Sequence, residues 1–291
     1  MAFPAARLVV PTLFLALASA AGAQSQPVLR GFAILGVDEV RLGRNVRVAR
    51  GAVGATNGNV RLAVSARVQG AVVAPSVRVA RGVRVGRLFC GTVSGGAFGP
   101  GVVGGPTVVG APASSGCLQL KTPVVDPALL ASVPVAPGTS DMTIPPRHVP
   151  SALAQGSYGA IVVRRGAILE LAGGAYQVRS IRLAATARLE CLDECRIGVA
   201  ETVTMGAQAQ LGAGQGLVDP SEVRLDVAGS PVAPAFRTAP NAVVAGTVFS
   251  PAGSVVLGPG TRYRGAIIGR TVLVRARSRV TEDSALPPPP R

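Results

Sequence analysis

The chain has no tryptophan, three tyrosines, seven phenylalanines and a single histidine, His148. Sugar clefts and base-stacking platforms rely on aromatic faces, so both lack their usual material here. His148 sits in the proline-rich run PPRHVPSA with no nucleophile motif nearby, which reads as an exposed loop residue and poor material for a catalytic triad. No GxSxG or HExxH word occurs, so hydrolase readings built on a nucleophile elbow or a zinc helix have no support. The words GPGVVG at Gly99 and GAGQG at Gly212 lack the strand-loop-helix setting of a phosphate loop and read as turns. Threonine ladders of the ice-binding kind are missing too, Thr202 and Thr204 being the clear pair. No motif calls for a cofactor or a metal.

Lysine is nearly absent. Lys121 is the single one, so every other member of the 29 basic residues is arginine, against 14 acids and a net charge of +15. GC-rich codon usage accounts for arginine in place of lysine. It does not account for the excess of base over acid, which leaves a positive field.

Long apolar runs are confined to the start. The run MAFPAARLVVPTLFLALASAAGAQ carries Arg7, an apolar stretch from Leu8 to Ala18 and small residues Ala21, Gly22 and Ala23 before Gln24. That pattern predicts a secretory signal cleaved after Ala23, with an uncut anchor as the rival reading. The stretch is shorter than the roughly 20 residues a bilayer demands, and no later one qualifies. Gln24 is not cysteine, which argues against a lipid anchor. The mature chain is expected outside the cytoplasm, secreted or on the cell surface, or in a periplasm. In that setting the even set Cys90, Cys117, Cys191 and Cys195 predicts two disulfides. Three pairings are open; proximity favours Cys191 with Cys195 inside CLDEC and Cys90 with Cys117. A thiolate metal site is the rival, better suited to reducing compartments.

What the chain has in abundance is repetition. One word is a small or polar residue followed by an apolar-rich tetrad: NVRV at Asn45, NVRL at Asn59, SVRV at Ser76, SIRL at Ser180, EVRL at Glu222, SVVL at Ser254 and TVLV at Thr271. A second is glycine before a short apolar run, at Gly51, Gly70, Gly159, Gly246 and Gly265. Asn59 to Ser76 and Ser254 to Thr271 repeat one spacing, and Gly51 to Gly70 and Gly246 to Gly265 another, of about 17 and 19 residues, the period of a solenoid coil. Valine and leucine alternate with arginine inside each word, which sends apolar side chains to one face of a strand and arginines to the other. Glycine and proline interrupt nearly every dozen residues, against helix.

The fold expected is all-β: a parallel β-helix, or solenoid, of roughly triangular section, with coils of about 17–20 residues around a column of Val, Ile, Leu and Ala. A narrow column has little room for tryptophan. The organisation reads as a signal (1–23), arginine-rich first coils (24–90), a Gly/Pro/Ser-rich insertion or linker (91–156), second coils (157–283) and a proline-rich tail (284–291).

The runs GSYGAIVVRRGAILELAGGAYQVRSIRLAATARLE from Gly156 and GTVFSPAGSVVLGPGTRYRGAIIGRTVLVRARSRVTEDSAL from Gly246 resemble secreted bacterial β-helical surface domains and, more loosely, the polymer-forming β-helices of the bactofilin type. That resemblance implies architecture and possible self-association, and brings no catalytic residues. The arginine-rich first coils and the four cysteines depart from its pattern.

Two function classes follow. The first is a secreted or cell-surface structural solenoid, a scaffold or adhesin, whose arginine ladder (Arg41, Arg44, Arg47, Arg50, Arg61, Arg67, Arg78, Arg81, Arg84 and Arg87) would contact anionic polysaccharide, lipopolysaccharide or extracellular DNA if stacked on one face. A solvated β-face is the plainer reading. The second is a polysaccharide lyase or hydrolase drawing on Glu190, Asp193, Glu194 and Glu201, or Asp219, Glu222 and Asp226. Those acids read more simply as solvated turn residues.

Overall fold

A computed structural model describes residues 31–95, 124–146, 150–214, 218–229 and 233–282. The expected signal at 1–23, Cys117, His148 and the tail from 284 lie outside the described residues. Within them, 22 strands join into one sheet in which every paired register is parallel. Two short 3-10 turns, Pro127–Leu130 and Pro220–Glu222, are the helical elements of the described residues. The architecture is the parallel β-solenoid read from the repeat, of about ten turns.

Each coil has three walls, and each wall contributes one residue per turn to an inner column. On the first wall that column runs Tyr176, Ile197, Leu225, Val248, Ile267, Ile34, Val53, Val72 and Leu88. On the second it runs Ile161, Ile181, Val203, Phe236, Val255, Val272, Val40, Val60 and Val77. On the third it runs Leu169, Leu189, Leu211, Val244, Tyr263, Val280, Val48, Val68 and Val85. All but Val85 are buried. β-branched residues recur because their stiff side chains stack in register on a pleated surface.

Between the second and third walls the backbone turns through a left-handed residue once per coil: Gly166, Thr186, Gln208, Asn241, Gly260, Arg277, Asn45, Ser65 and Gly82, with φ between 57° and 73°. Only three of these are glycine. A small or compact buried residue follows each, from Ala167, Ala187 and Ala209 to Val46, Ala66 and Val83. The left-handed strain of the other six is offset by a hydrogen bond to the next turn, such as Thr186 N–H to Ala207 O at 2.9 Å and Arg277 N–H to Arg44 O at 2.9 Å.

The order of turns is not the order of the sequence. The strand Ile267–Val274 stacks on Phe32–Leu42, with Ile267 opposite Ile34, Val272 opposite Val40 and Val274 opposite Leu42. Arg279–Thr281 stacks on Arg47–Val48. The last coil of the chain therefore carries the first, and the column reads 142 to 282 and then 32 to 95 without interruption. Hydrogen bonds cross the seam as they cross any other pair of turns: Gly43 N–H to Val274 O at 2.7 Å, Arg47 N–H to Ser278 O at 3.0 Å and Ala49 N–H to Val280 O at 2.9 Å. Both chain ends of the described solenoid lie at this seam, and the connection 96–141 links its two far ends.

Part of that connection is described where it crosses the seam. Val124 and Val125, each 1% exposed, pack against Leu35, Phe32, Ile268 and Phe249 on the outer surface of the first wall. Burial of two such side chains contributes about 1.5–3 kcal/mol each. Strands Met142–Ile144 and Ser151–Leu153 fall inside the 91–156 segment, and the strand from Arg84 continues to Gly95, so the column extends further into that segment than the repeat words reach.

Candidate functional site

Outward positions on the third wall stack as regularly as the core. One outer column runs Ile168, Arg188, Gln210, Val243, Arg262, Arg279, Arg47, Arg67 and Arg84, each in register with the next. Its last five members are arginines, all exposed, standing one per strand spacing of about 4.8 Å. None of the five has an ion-pair partner among the described residues. Stacked like charges repel, so this row is costly until an anion neutralises it. Alongside runs a groove of about 390 Å³ bordered by Arg279, Arg47, Arg67, Arg84, Gln69 and Gly86. A second, of about 340 Å³, borders the corner beside Ser65 and Arg277.

The ladder predicted from the first coils does not form one stripe. Arg47, Arg67 and Arg84 share the third wall. Arg41, Arg61 and Arg78 stack on the second wall. There Glu39 pairs with Arg41 at 2.7 Å and Arg61 at 2.9 Å, which raises the Arg41 pKa through its hydrogen bond and charge. Arg44 and Arg81 flank the corner between these walls, Arg50 follows the third, and Arg87 stands opposite Ala71 on the first. Arg262 and Arg279, which complete the row, come from the other end of the sequence and were not in the predicted set. Their signal was present: GTRY from Gly260 and RSRV from Arg277 repeat the frame of NVRV from Asn45, with an arginine outward at the third position and an apolar residue inward at the fourth.

The carboxylates scatter. Asp226, 2% exposed, is held on the first wall by Arg196 at 3.1 Å and Arg224 at 2.7 Å, and Arg224 lies 4.8 Å over the Phe249 ring. Asp193 accepts from Glu194 N–H in the turn closed by the Cys191–Cys195 disulfide. Glu201 is exposed beside the corner that opens the second wall. Glu222 and Asp219 cap each other's backbone around Pro220. Glu190 and Asp219 do line one cavity of about 460 Å³ with Arg264. Hydrogen bonds from Ser221 N–H and Oγ hold the Asp219 carboxyl below its ordinary value, the reverse of what a general acid needs. Glu190 lies 3.8 Å from Arg188.

Among the described residues no group of three or more His, Cys, Asp or Glu could hold a metal. No helix there is long and apolar enough to cross a membrane. Cys191 and Cys195 are bonded as proximity favoured; Cys90 is also disulfide-bonded, and Cys117 lies outside the described residues. Compared with protein-family models, curated proteins and solved structures, the chain matches none. The solenoid architecture implied by the resemblance is present, and kinship to bactofilin-type or secreted surface domains gains no support from those comparisons.

Proposed function

We propose that the protein is a secreted or cell-surface structural β-solenoid, a scaffold or adhesin-like element whose third wall contacts anionic extracellular polymers. The observation that carries the reading is the row Arg262, Arg279, Arg47, Arg67 and Arg84: exposed, unpaired among the described residues, and assembled from both ends of the sequence. A guanidinium presents a planar fork that binds carboxylate or phosphate oxygens in pairs. The signal-like start and the even cysteine set support export, and the likeness of the runs from Gly156 and Gly246 to secreted surface domains agrees with it.

The test is retention on immobilised acidic polymer. The protein is expected to bind at low salt and elute as ionic strength rises, and Arg47→Gln, Arg67→Gln and Arg279→Gln together are expected to abolish retention. Binding indifferent to salt and to those substitutions refutes the reading. N-terminal sequencing of protein from the culture medium or cell envelope is expected to begin at Gln24. A lyase or hydrolase on the same scaffold would place its chemistry at Glu190, Asp219 and Arg264; release of reducing ends or unsaturated sugars from acidic glycans, lost in Glu190→Gln, would establish that instead.

A further inference from the structure

We infer that the corner of the seam is a binding site for one terminal phosphate group, a phosphomonoester dianion held between the last coil and the first. This deepens the polymer-contact reading and rests on it, since Arg47, Arg67 and Arg279 serve both. The site is the cavity of about 340 Å³ between the second and third walls. Three successive turns line it in pairs: Arg277 with Arg279, Asn45 with Arg47, and Ser65 with Arg67. The corner members all sit in the left-handed turn, where Arg277 N–H bonds to Arg44 O and Asn45 N–H to Val64 O, so backbone stacking fixes their order. The three turns span about 10 Å along the axis, within reach of long side chains leaning towards the middle one.

The lack of an internal counter-ion selects an anion. Where arginines meet on the other walls, an acid stands between them: Glu39 between Arg41 and Arg61, Asp226 between Arg196 and Arg224. No carboxylate lines this cavity, and none of its four guanidinia has an ion-pair partner among the described residues. The number of donors selects the kind of anion. A carboxylate offers two oxygens in one plane and fills a single fork, and a phosphodiester has one charge and two free oxygens. A phosphomonoester carries close to two charges at neutral pH and three acceptor oxygens, which take forks from separate turns at once. The Asn45 amide and the Ser65 hydroxyl add uncharged donors, whereas the Ser278 hydroxyl already bonds to Gly258 O and Arg275 O.

The ligand joins what the chain leaves separate. Arg277 and Arg279 belong to the last coil and Asn45 and Arg47 to the first, so a bound phosphate clamps the seam and adds stability as its concentration rises.

Calorimetric titration of the full protein with inorganic phosphate tests the site, with monomeric galacturonate and with chloride at equal ionic strength as comparators. Phosphate is expected to bind about tenfold or more tighter than galacturonate, and to weaken as pH falls below about 6, where the dianion takes up a proton. Saturating phosphate is expected to slow hydrogen exchange at 32–42 and 267–274 more than at 174–183. Arg277→Gln and Arg47→Gln are each expected to lower affinity about tenfold. The first is tolerated by the backbone, since Gln208 holds the same corner in another coil. Arg182→Gln, on the second wall, leaves affinity unchanged. Vesicles identify the source of the group: binding to phosphatidic acid, a monoester, and not to phosphatidylglycerol, a diester, points to a lipid headgroup, and phosphate binding without vesicle binding points to a soluble phosphate. Equal affinity for galacturonate, equal binding to both vesicles, or phosphate stabilisation that survives Arg277→Gln and Arg47→Gln overturns the site and leaves polymer contact standing. Failure to bind phosphate while acidic polymer is still retained does the same, and failure to bind either overturns both.

Discussion

The seam makes a circular permutant the most informative perturbation of this molecule. Glu282 and Gly31 lie together: burial raises the Glu282 carboxyl pKa while the Gly31 backbone hydrogen-bonds to it, and its oxygen stands against Gly51. A four-residue Gly/Ser linker from Glu282 to Gly31, with the chain opened between Leu120 and Lys121, converts the seam into an ordinary coil-to-coil connection. At present the chain joins the two sides of the seam covalently only by way of residues 96–141, which connect the far ends of the column. Replacing a loop of that length with one of four residues lowers the closure entropy by (3/2)RT times the logarithm of the ratio, about 2 kcal/mol. The covering segment with Val124 and Val125 stays joined to Met142. The permutant is expected to keep the β-rich circular dichroism spectrum, to gain that free energy of unfolding as an upward shift of its urea midpoint at an unchanged slope, and to protect the amides of 32–42 and 267–274 at least as well as the parent. A permutant that unfolds earlier, or whose seam amides exchange freely, refutes the continuous column.

Three further outcomes follow from particular contacts. Tyr263 is buried, and its hydroxyl accepts from Val248 N–H at 3.1 Å while lying 2.9 Å from Ala266 O and 3.0 Å from Gly246 O; Tyr263→Phe is expected to cost about 2 kcal/mol in denaturant unfolding, and no loss would mean water replaces the hydroxyl. Asp226→Asn removes the charge that holds Arg196 and Arg224 and is expected to cost about 2 kcal/mol, below the figure for a fully buried pair because Arg196 is half-exposed; a neutral result in urea would show that the two guanidinia re-solvate. Glu282 is held above the usual glutamate range chiefly by burial, so the folded state binds its proton more tightly than the unfolded. Stability is then fullest below the unfolded pKa and falls as pH rises through the folded one. Glu282→Gln should remove that decline and leave the protein more stable at neutrality, and an identical pH profile in the variant would contradict this.

The repeat was legible because a coil writes its own length into the sequence. The pairs Asn59 with Ser76 and Ser254 with Thr271, equal in spacing, are register partners on adjacent turns. Gly51 and Gly70, and Gly246 and Gly265, stack as well: a side chain on Gly70 or Gly265 would fall on the carbonyl oxygen of the glycine one turn away. Coil length varies where no word marks it. Ile197 and Leu225 are register partners although the turn Pro220–Glu222 lies between them, and Val72 with Leu88 closes a shorter turn. A loop projecting from a corner changes the period without disturbing the wall, so strict periodicity underestimates the column.

The order of turns was not legible, for a reason that also explains the incomplete site. Every turn presents the same pleated edge with an apolar residue inward, so by its repeat pattern alone Ile267–Val274 fits against any coil, and no repeat word in it names Phe32–Leu42 as its neighbour. What selects that partner is the whole chain: a connection long enough to run back along the column, Val124 and Val125 covering Leu35, Ile268 and Phe249, and the ion pair of Arg270 with Asp38 at 2.7 Å, which is half-exposed and adds little energy but fixes which ends meet. A search for stacked arginines that follows sequence order stops at the first coils and divides the charge between two halves. Following spatial order instead places Arg262 and Arg279 directly before Arg47, so the five-arginine run of exposed cations among the described residues exists only because its first and last coils touch.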